Sequence, residues 1–205
     1  MTQLKEMAGP KEQHLIFDSS FESGNLDMVI QVARHEYDMY MRVDSNTRGH
    51  HQWFYFKVNN QDFTGKVKFN FVNFTKRQSL YSQGMRVNVK SLLDQADMKA
   101  KLPEGTPYTA LKNEGWVKCG DNINYKISKL SVHQSGIAAS QQSNAVSELQ
   151  ERPIRGKKKY FMLTFEYTFK RPNDEVYFAY ALPYTFSKLH NFVRELMDSH
   201  SERVH

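Results

Sequence analysis

The chain of 205 residues contains one cysteine, Cys119. No disulfide can close within it, which excludes a small secreted fold stapled by bridges, and no cysteine-rich zinc site can be assembled from it. No run approaches the ~18 apolar residues that a membrane helix needs. Met1 to Glu6 has no apolar core behind its charged residues, so the start does not read as a signal peptide. These absences predict a protein of a reducing compartment, the cytosol foremost, with no membrane partner.

Catalytic signatures are as scarce. None of the eight histidines is followed three residues later by Glu or four residues later by another His, the spacings that place ligands on one helix face. His50 and His51 are adjacent, so in a strand they would point to opposite faces. Ser23 before Gly24 and Ser82 near Gly84 do not form a nucleophile elbow. Cys119 beside Lys118 reads as a structural thiol. The glycines are scattered as turn residues are, and none forms a phosphate-cradling loop. Glu36, Asp38 and Asp44 are acids of strand edges, where solvation is the ordinary state. From the residues alone, no catalytic group and no cofactor are expected in this chain.

What is present is aromatic. Phe, Trp and Tyr make up 13% of the residues, most of them in short alternating runs. Tyr37, Met39, Met41 and Val43 alternate with Asp38, Tyr40 and Arg42; Val67, Phe69 and Phe71 alternate with Lys66, Lys68 and Asn70. Tyr160 to Phe169 alternates over its whole length, followed by a hairpin turn at Arg171 to Glu175 and a returning strand at Val176 to Tyr180. Leu80 to Val89 reads as a strand bent at Gly84, and His51 to Val58 as a strand with aromatic residues on both faces. Leu92, Leu93 and Met98 suit a short helix. After Pro183, the spacing of Leu189, Phe192, Val193 and Leu196 predicts a terminal helix capped by Thr185 or Ser187. The pattern predicts an all-β fold, an antiparallel β-sandwich of about nine strands with a C-terminal α-helix. Residues 14–198 are read as one domain, with tails at 1–13 and 199–205.

The net charge of +6 is unevenly spread. Arg152, Arg155, Lys157, Lys158 and Lys159 stand against the single acid Glu151 within one short segment. This segment ends a polar stretch, 133–159, that is expected to be a flexible basic loop. The rest is near balance, so nucleic acid is not an expected partner. The segment is either a solvated loop or a docking site for an acidic partner, and a docking site would weaken with salt over about 8–10 Å of screening.

Several segments together carry a resemblance: Phe21-Glu-Ser-Gly-Asn-Leu26, Glu36-Tyr-Asp38, Asp44-Ser-Asn-Thr47, His51-Gln-Trp-Phe-Tyr-Phe56, Asn73-Phe-Thr-Lys76, Ser79-Leu-Tyr-Ser-Gln-Gly-Met85 and Ala179-Tyr-Ala-Leu-Pro-Tyr-Thr-Phe-Ser187. In this order and spacing the chain resembles the N-terminal domain of the cytosolic carboxypeptidases, over most of 14–198 apart from 133–159. The resemblance implies a sandwich that precedes an α/β catalytic domain. It implies a parent enzyme that removes C-terminal or side-chain glutamates from polyglutamylated tubulin and similar acidic tails. Zinc would belong to the catalytic domain, whose ligands have no match here, and the 199–205 tail would lead towards that domain. The expected partners are the catalytic domain and tubulin or other glutamate-rich proteins, in the cytoplasm and at microtubules or cilia. The expected role is folding support, scaffolding or docking. The expected interdomain contacts are Trp53, Phe54, Tyr55 and Phe56 together with Leu189, Phe192 and Leu196. The alternative is a stand-alone interaction module of microtubules or a larger assembly.

Overall fold

Alternation of apolar and polar residues puts one side of each strand into a common interior, and the computed structural model shows two sheets built this way. It describes residues 15–47, 50–131 and 159–200. In chain order the strands are β1 (Ile16–Asp18), β2 (Leu26–Ala33), β3 (Glu36–Met41), β4 (Tyr55–Asn59), β5 (Gly65–Phe74), β6 (Val87–Ser91), β7 (Val117–Cys119), β8 (Asp121–Ser131), β9 (Lys159–Phe169) and β10 (Glu175–Ala179). Helix α1 (Leu92–Ala100) follows β6, and α2 (Phe186–His200) follows β10. The first sheet has the order β1-β4-β10-β6-β7 and the second β2-β3-β5-β9-β8.

The sandwich and its terminal helix match the reading of the sequence, with one change of strand direction. β3 and β5 pair in parallel, Tyr37 opposite Phe69 and Met39 opposite Phe71, so the second sheet is mixed. The cause is topological. After β3 the chain crosses to the first sheet to lay down β4, then returns to place β5 beside β3. Such a crossover brings the strand back in the same direction.

Rings from both sheets fill the space between them. Phe54 stacks on Phe71 at 4.4 Å, Phe56 on Phe178 at 5.0 Å, and Phe69 meets Phe165 at 5.4 Å. Such pairs add to the burial of 150–250 Å² that a large ring supplies.

Three local expectations are corrected. The run 80–89 is not one bent strand: Leu80–Gln83 forms a 3-10 turn, Ser79 Oγ accepts from the Tyr81 N–H at 3.3 Å, and Gly84 closes it at φ 90°. The strand expected from His51 begins at Tyr55, because the Asn25 side chain takes the hydrogen bonds that a neighbouring strand would make. It donates to Trp53 O at 2.6 Å and accepts from Tyr55 N at 3.1 Å. Asn70, which the alternation places on the outward, polar side with Lys66 and Lys68, is buried. It donates to Glu36 at 2.8 Å and Asp38 at 2.9 Å and accepts from the Thr164 hydroxyl at 3.0 Å. A central strand flanked on both sides has no solvated face at that position.

A polar hub joins three turns at one end. Asp174 accepts from the Ser91 hydroxyl at 2.6 Å and from Leu93 N at 3.2 Å, while its own N–H donates to Asn60 at 2.7 Å. Ser91 also accepts from Asp94 N at 3.0 Å, which caps α1. Arg171 reaches Asp94 and Asp97, each at 2.6 Å, and holds the β9–β10 hairpin against that helix.

Candidate docking surface

Helix α2 has the spacing of an amphipathic helix, yet its apolar side lies open. Every described residue from Phe186 to Ser199 is exposed, Leu189 by 45%, Phe192 by 51% and Leu196 by 43%. Phe186, Val193 and Met197 extend the same surface. Contiguous apolar surface of this kind on a soluble domain marks an interaction site.

The first turn of α2 is tied to the sandwich. A helix leaves its first four N–H groups without internal partners. Here Thr185 Oγ1 accepts from Lys188 N at 3.3 Å, which makes Thr185 rather than Ser187 the cap. Glu22, from the turn after β1, accepts from Ser187 N at 2.8 Å. That backbone N–H, above all, holds the Glu22 carboxyl below the usual carboxylate range. The positive end of the helix dipole favours the same charge. Lys188 bonds both carboxylate oxygens of Glu114, at 2.6 and 2.7 Å.

Glu114 is presented by a left-handed turn. Asn113 (φ 52°), Glu114 (φ 53°) and Gly115 (φ 83°) lie in succession in the left-handed region. The two non-glycine residues each cost about 1–2 kcal/mol there. Gln95 steadies the turn by donating to Glu114 O at 2.7 Å. The next residue, Trp116, packs on Tyr55 with ring centres 5.9 Å apart.

Beside the entry to α2 lies a cleft of about 530 Å³, lined by Ser23–Asn25, Arg42–Ser45, Trp53, Leu182 and Tyr184. Trp53 is half-buried and donates from its indole to Ser23 O at 2.9 Å. Gly24 is required at the rim, because a Cβ there would stand 2.2 Å from the Ser19 carbonyl oxygen. This is why a Ser-Gly-Asn sequence occupies the turn.

The residues singled out from sequence fall in different places. Leu189, Phe192 and Leu196 lie together on the open side of α2. Phe54 (1% exposed) and Phe56 (0%) are spent between the sheets, which leaves neither ring at the surface to contact another domain. Tyr55 packs on the outer face of the first sheet with Trp116 and Ala179, and its hydroxyl is pushed up to about 12 by burial foremost. Arg152, Arg155, Lys157 and Lys158 lie outside the described residues, as does the loop 133–159 apart from its last residue. Lys159 opens β9 opposite Ser131 and is exposed. Glu22, Glu114 and Tyr184 were not foreseen, since nothing in the sequence announces a contact across such separations.

The described residues do not fit a metal centre: no three of His, Cys, Asp and Glu among them come together to hold an ion.

Residues 17–100 match the family model of the cytosolic carboxypeptidase N-terminal domain. The chain is 35% identical to cytosolic carboxypeptidase 1 of Danio rerio, over 90% of its own length and 13% of the relative's. This chain belongs to the cytosolic carboxypeptidase family, through its N-terminal domain. Cytosolic carboxypeptidase 3 of Mus musculus is 33% identical over 94% of the chain and 15% of the relative. Cytosolic carboxypeptidase 1 of Homo sapiens is 31% identical over 94% and 13%. The chain thus spans a small fraction of the curated relatives it matches. Among solved structures it is similar to a putative carboxypeptidase from Burkholderia mallei, with a TM-score of 0.47 and 16% identity over 91% of this chain and 33% of that one. A metallo-carboxypeptidase from Pseudomonas aeruginosa gives a TM-score of 0.46 and 18% identity over 89% and 34%. The seven quoted segments that carry the cytosolic carboxypeptidase resemblance include several of the structural devices described above: Asn25 and Gly24, the Ser79–Gly84 turn, and the Thr185 cap.

Proposed function

We propose that this domain is the non-catalytic N-terminal sandwich of a cytosolic zinc metallocarboxypeptidase, and that it holds the catalytic domain in place through α2. The parent enzyme would remove glutamates from polyglutamylated tubulin and similar acidic tails, in the cytoplasm at microtubules or cilia. Zinc and the reacting groups belong to the catalytic domain. The observation that carries the reading is the open apolar side of α2, Leu189, Phe192 and Leu196, on a helix whose first turn is fixed to the sandwich by Glu22 and Glu114. A helix of 15 residues is marginal in water without a packed face. Burying those side chains against the adjoining domain would contribute roughly 1.5–3 kcal/mol for each one fully covered. Trp53 and the cleft beside it extend the same docking surface.

The test is hydrogen exchange of this chain alone against a chain extended through the catalytic domain. The reading expects added protection along α2 and around Trp53, with the sheet interiors unchanged. Equal exchange in the two proteins would reject the docking role and favour a stand-alone module.

A further inference from the structure

The last strand of an open sheet presents a row of unpaired backbone groups, and natural proteins guard such edges. Four strands hold that position here: β1 and β7 in the first sheet, β2 and β8 in the second. β1 and β7 are three residues each, too short to template a partner. β8 is long but carries Lys126 and Lys129, both exposed, and edge lysines oppose pairing with another chain. β2 has neither guard. It runs for eight residues, and its segment Met28-Val-Ile-Gln-Val-Ala33 contains no charge, glycine or proline.

Met28, Val29, Ile30 and Gln31 face Tyr40, Met39, Asp38 and Tyr37 of β3 in unbroken register, and the ladder is irregular only on either side of that run. The strand is therefore regular where it is uncharged. Val29 is committed to the core, whereas Ile30 and Val32 are 41% and 49% exposed. Among the described residues no strand lies along the side of β2 away from β3. Backbone groups alternate between the two neighbours of a strand, so about half of those in β2 point to that open side.

We propose that β2 docks a second copy of this chain, strand to strand and antiparallel, so that the two second sheets continue into one. The sequence of β2 is its own complement about Ile30. A two-fold axis through that position, normal to the sheet, sets Ile30 beside Ile30 of the second copy, Val29 beside Gln31 and Met28 beside Val32. At each end Asp27 then comes within reach of Arg34 of the second copy, and both residues are exposed. Asp27 gives up only a long contact to Arg42, at 3.8 Å, and Arg34 has no ion pair among the described residues. The contact is isologous, so it uses both β2 edges and closes at two copies. An edge of this length makes a small interface, of the class below about 1,200 Å² that associates weakly. Helix α2 takes no part, so the pairing stands apart from the docking of the catalytic domain.

The test is sedimentation of the 205-residue chain at concentrations up to ~500 µM, with hydrogen exchange at both ends of the range. A monomer–dimer equilibrium is expected, with protection gained at residues 28–32 and none at β8. Ile30→Lys sets a guard at the half-exposed centre of the strand. It is expected to weaken association about tenfold or more, with circular dichroism and the melting temperature unchanged. Asp27→Arg and Arg34→Asp are each expected to weaken pairing, and an equimolar mixture of the two variants to restore it, because both ends of the mixed pair then join opposite charges. A chain that stays monomeric throughout would overturn the proposal, as would association that Ile30→Lys leaves unchanged or that grows beyond two copies. Concentration-independent protection of β2 in a chain extended through the catalytic domain would also overturn it, by giving this edge to that domain.

Discussion

The carboxylate of Glu22 accepts a hydrogen bond from the backbone N–H of Ser187 at 2.8 Å, across 165 positions of sequence. A turn at the start of the domain thereby sets where the last helix leaves it. Glu22→Ala is expected to speed amide exchange in the first turn of α2 and leave the sheets unchanged. Hydrogen exchange resolved by residue checks this, and unaltered exchange at Ser187 and Lys188 would show that the Thr185 cap and Lys188 suffice.

The same contact should respond to acid. The folded pKa of Glu22 lies below its unfolded value, foremost because of the Ser187 N–H. The contact is therefore at full strength above the unfolded carboxylate pKa and is lost as the pH falls through the folded one. A titration of the Ser187 amide by NMR should show its midpoint below the ordinary Glu value. A midpoint at or above that value would place the charge elsewhere.

Gly24 is fixed by close approach, since a Cβ would stand 2.2 Å from Ser19 O. Gly24→Ala must move the turn that carries both Glu22 and the rim of the cleft. Overpacking of this kind costs about 1–3 kcal/mol. Thermal unfolding should register the loss, and α2 exchange should rise with it.

Strand periodicity made most of the fold legible. The runs at Glu36, Lys66 and Tyr160 read as strands because alternation survives wherever one face is buried, and α2 was evident from Leu189, Phe192 and Leu196. The parallel β3–β5 pair was not legible, because direction depends on where β4 is laid down and not on any local pattern. Burial of Asn70 was hidden for a related reason: its partners Glu36, Asp38 and Thr164 come from neighbouring strands, and a polar residue at an outward position carries no mark of being covered. At the docking surface the apolar stripe was readable. The anchors Glu22 and Glu114 were not, because each is an ordinary acid until the fold brings it to α2.

Asp174 supports three turns at once. Asp174→Ala would leave the Ser91 hydroxyl and the Leu93 N–H without their acceptor in a buried setting. The expected loss is on the order of 3 kcal/mol. Urea unfolding should show a lower midpoint with an unchanged slope, because the same surface is exposed on unfolding. Stability equal to that of the parent chain would mean that water replaces the carboxylate at no cost.

Phe56 and Phe192 separate the two uses of aromatic residues in this chain. Phe56 is fully buried and stacked on Phe178, whereas Phe192 is half exposed on α2. Phe56→Ala should destabilise the isolated domain by about 3–5 kcal/mol, through lost burial and the cavity left behind. Phe192→Ser should leave isolated stability within about 0.5 kcal/mol, since no packed face is disturbed. In a chain extended through the catalytic domain the order should narrow: Phe192→Ser is expected to weaken interdomain protection while each domain keeps its own fold. The isolated domain supplies the control, because a large loss from Phe192→Ser there would mean that α2 is held by the sandwich itself. A small loss there together with a large one in the extended chain can come only from a contact that the second domain provides.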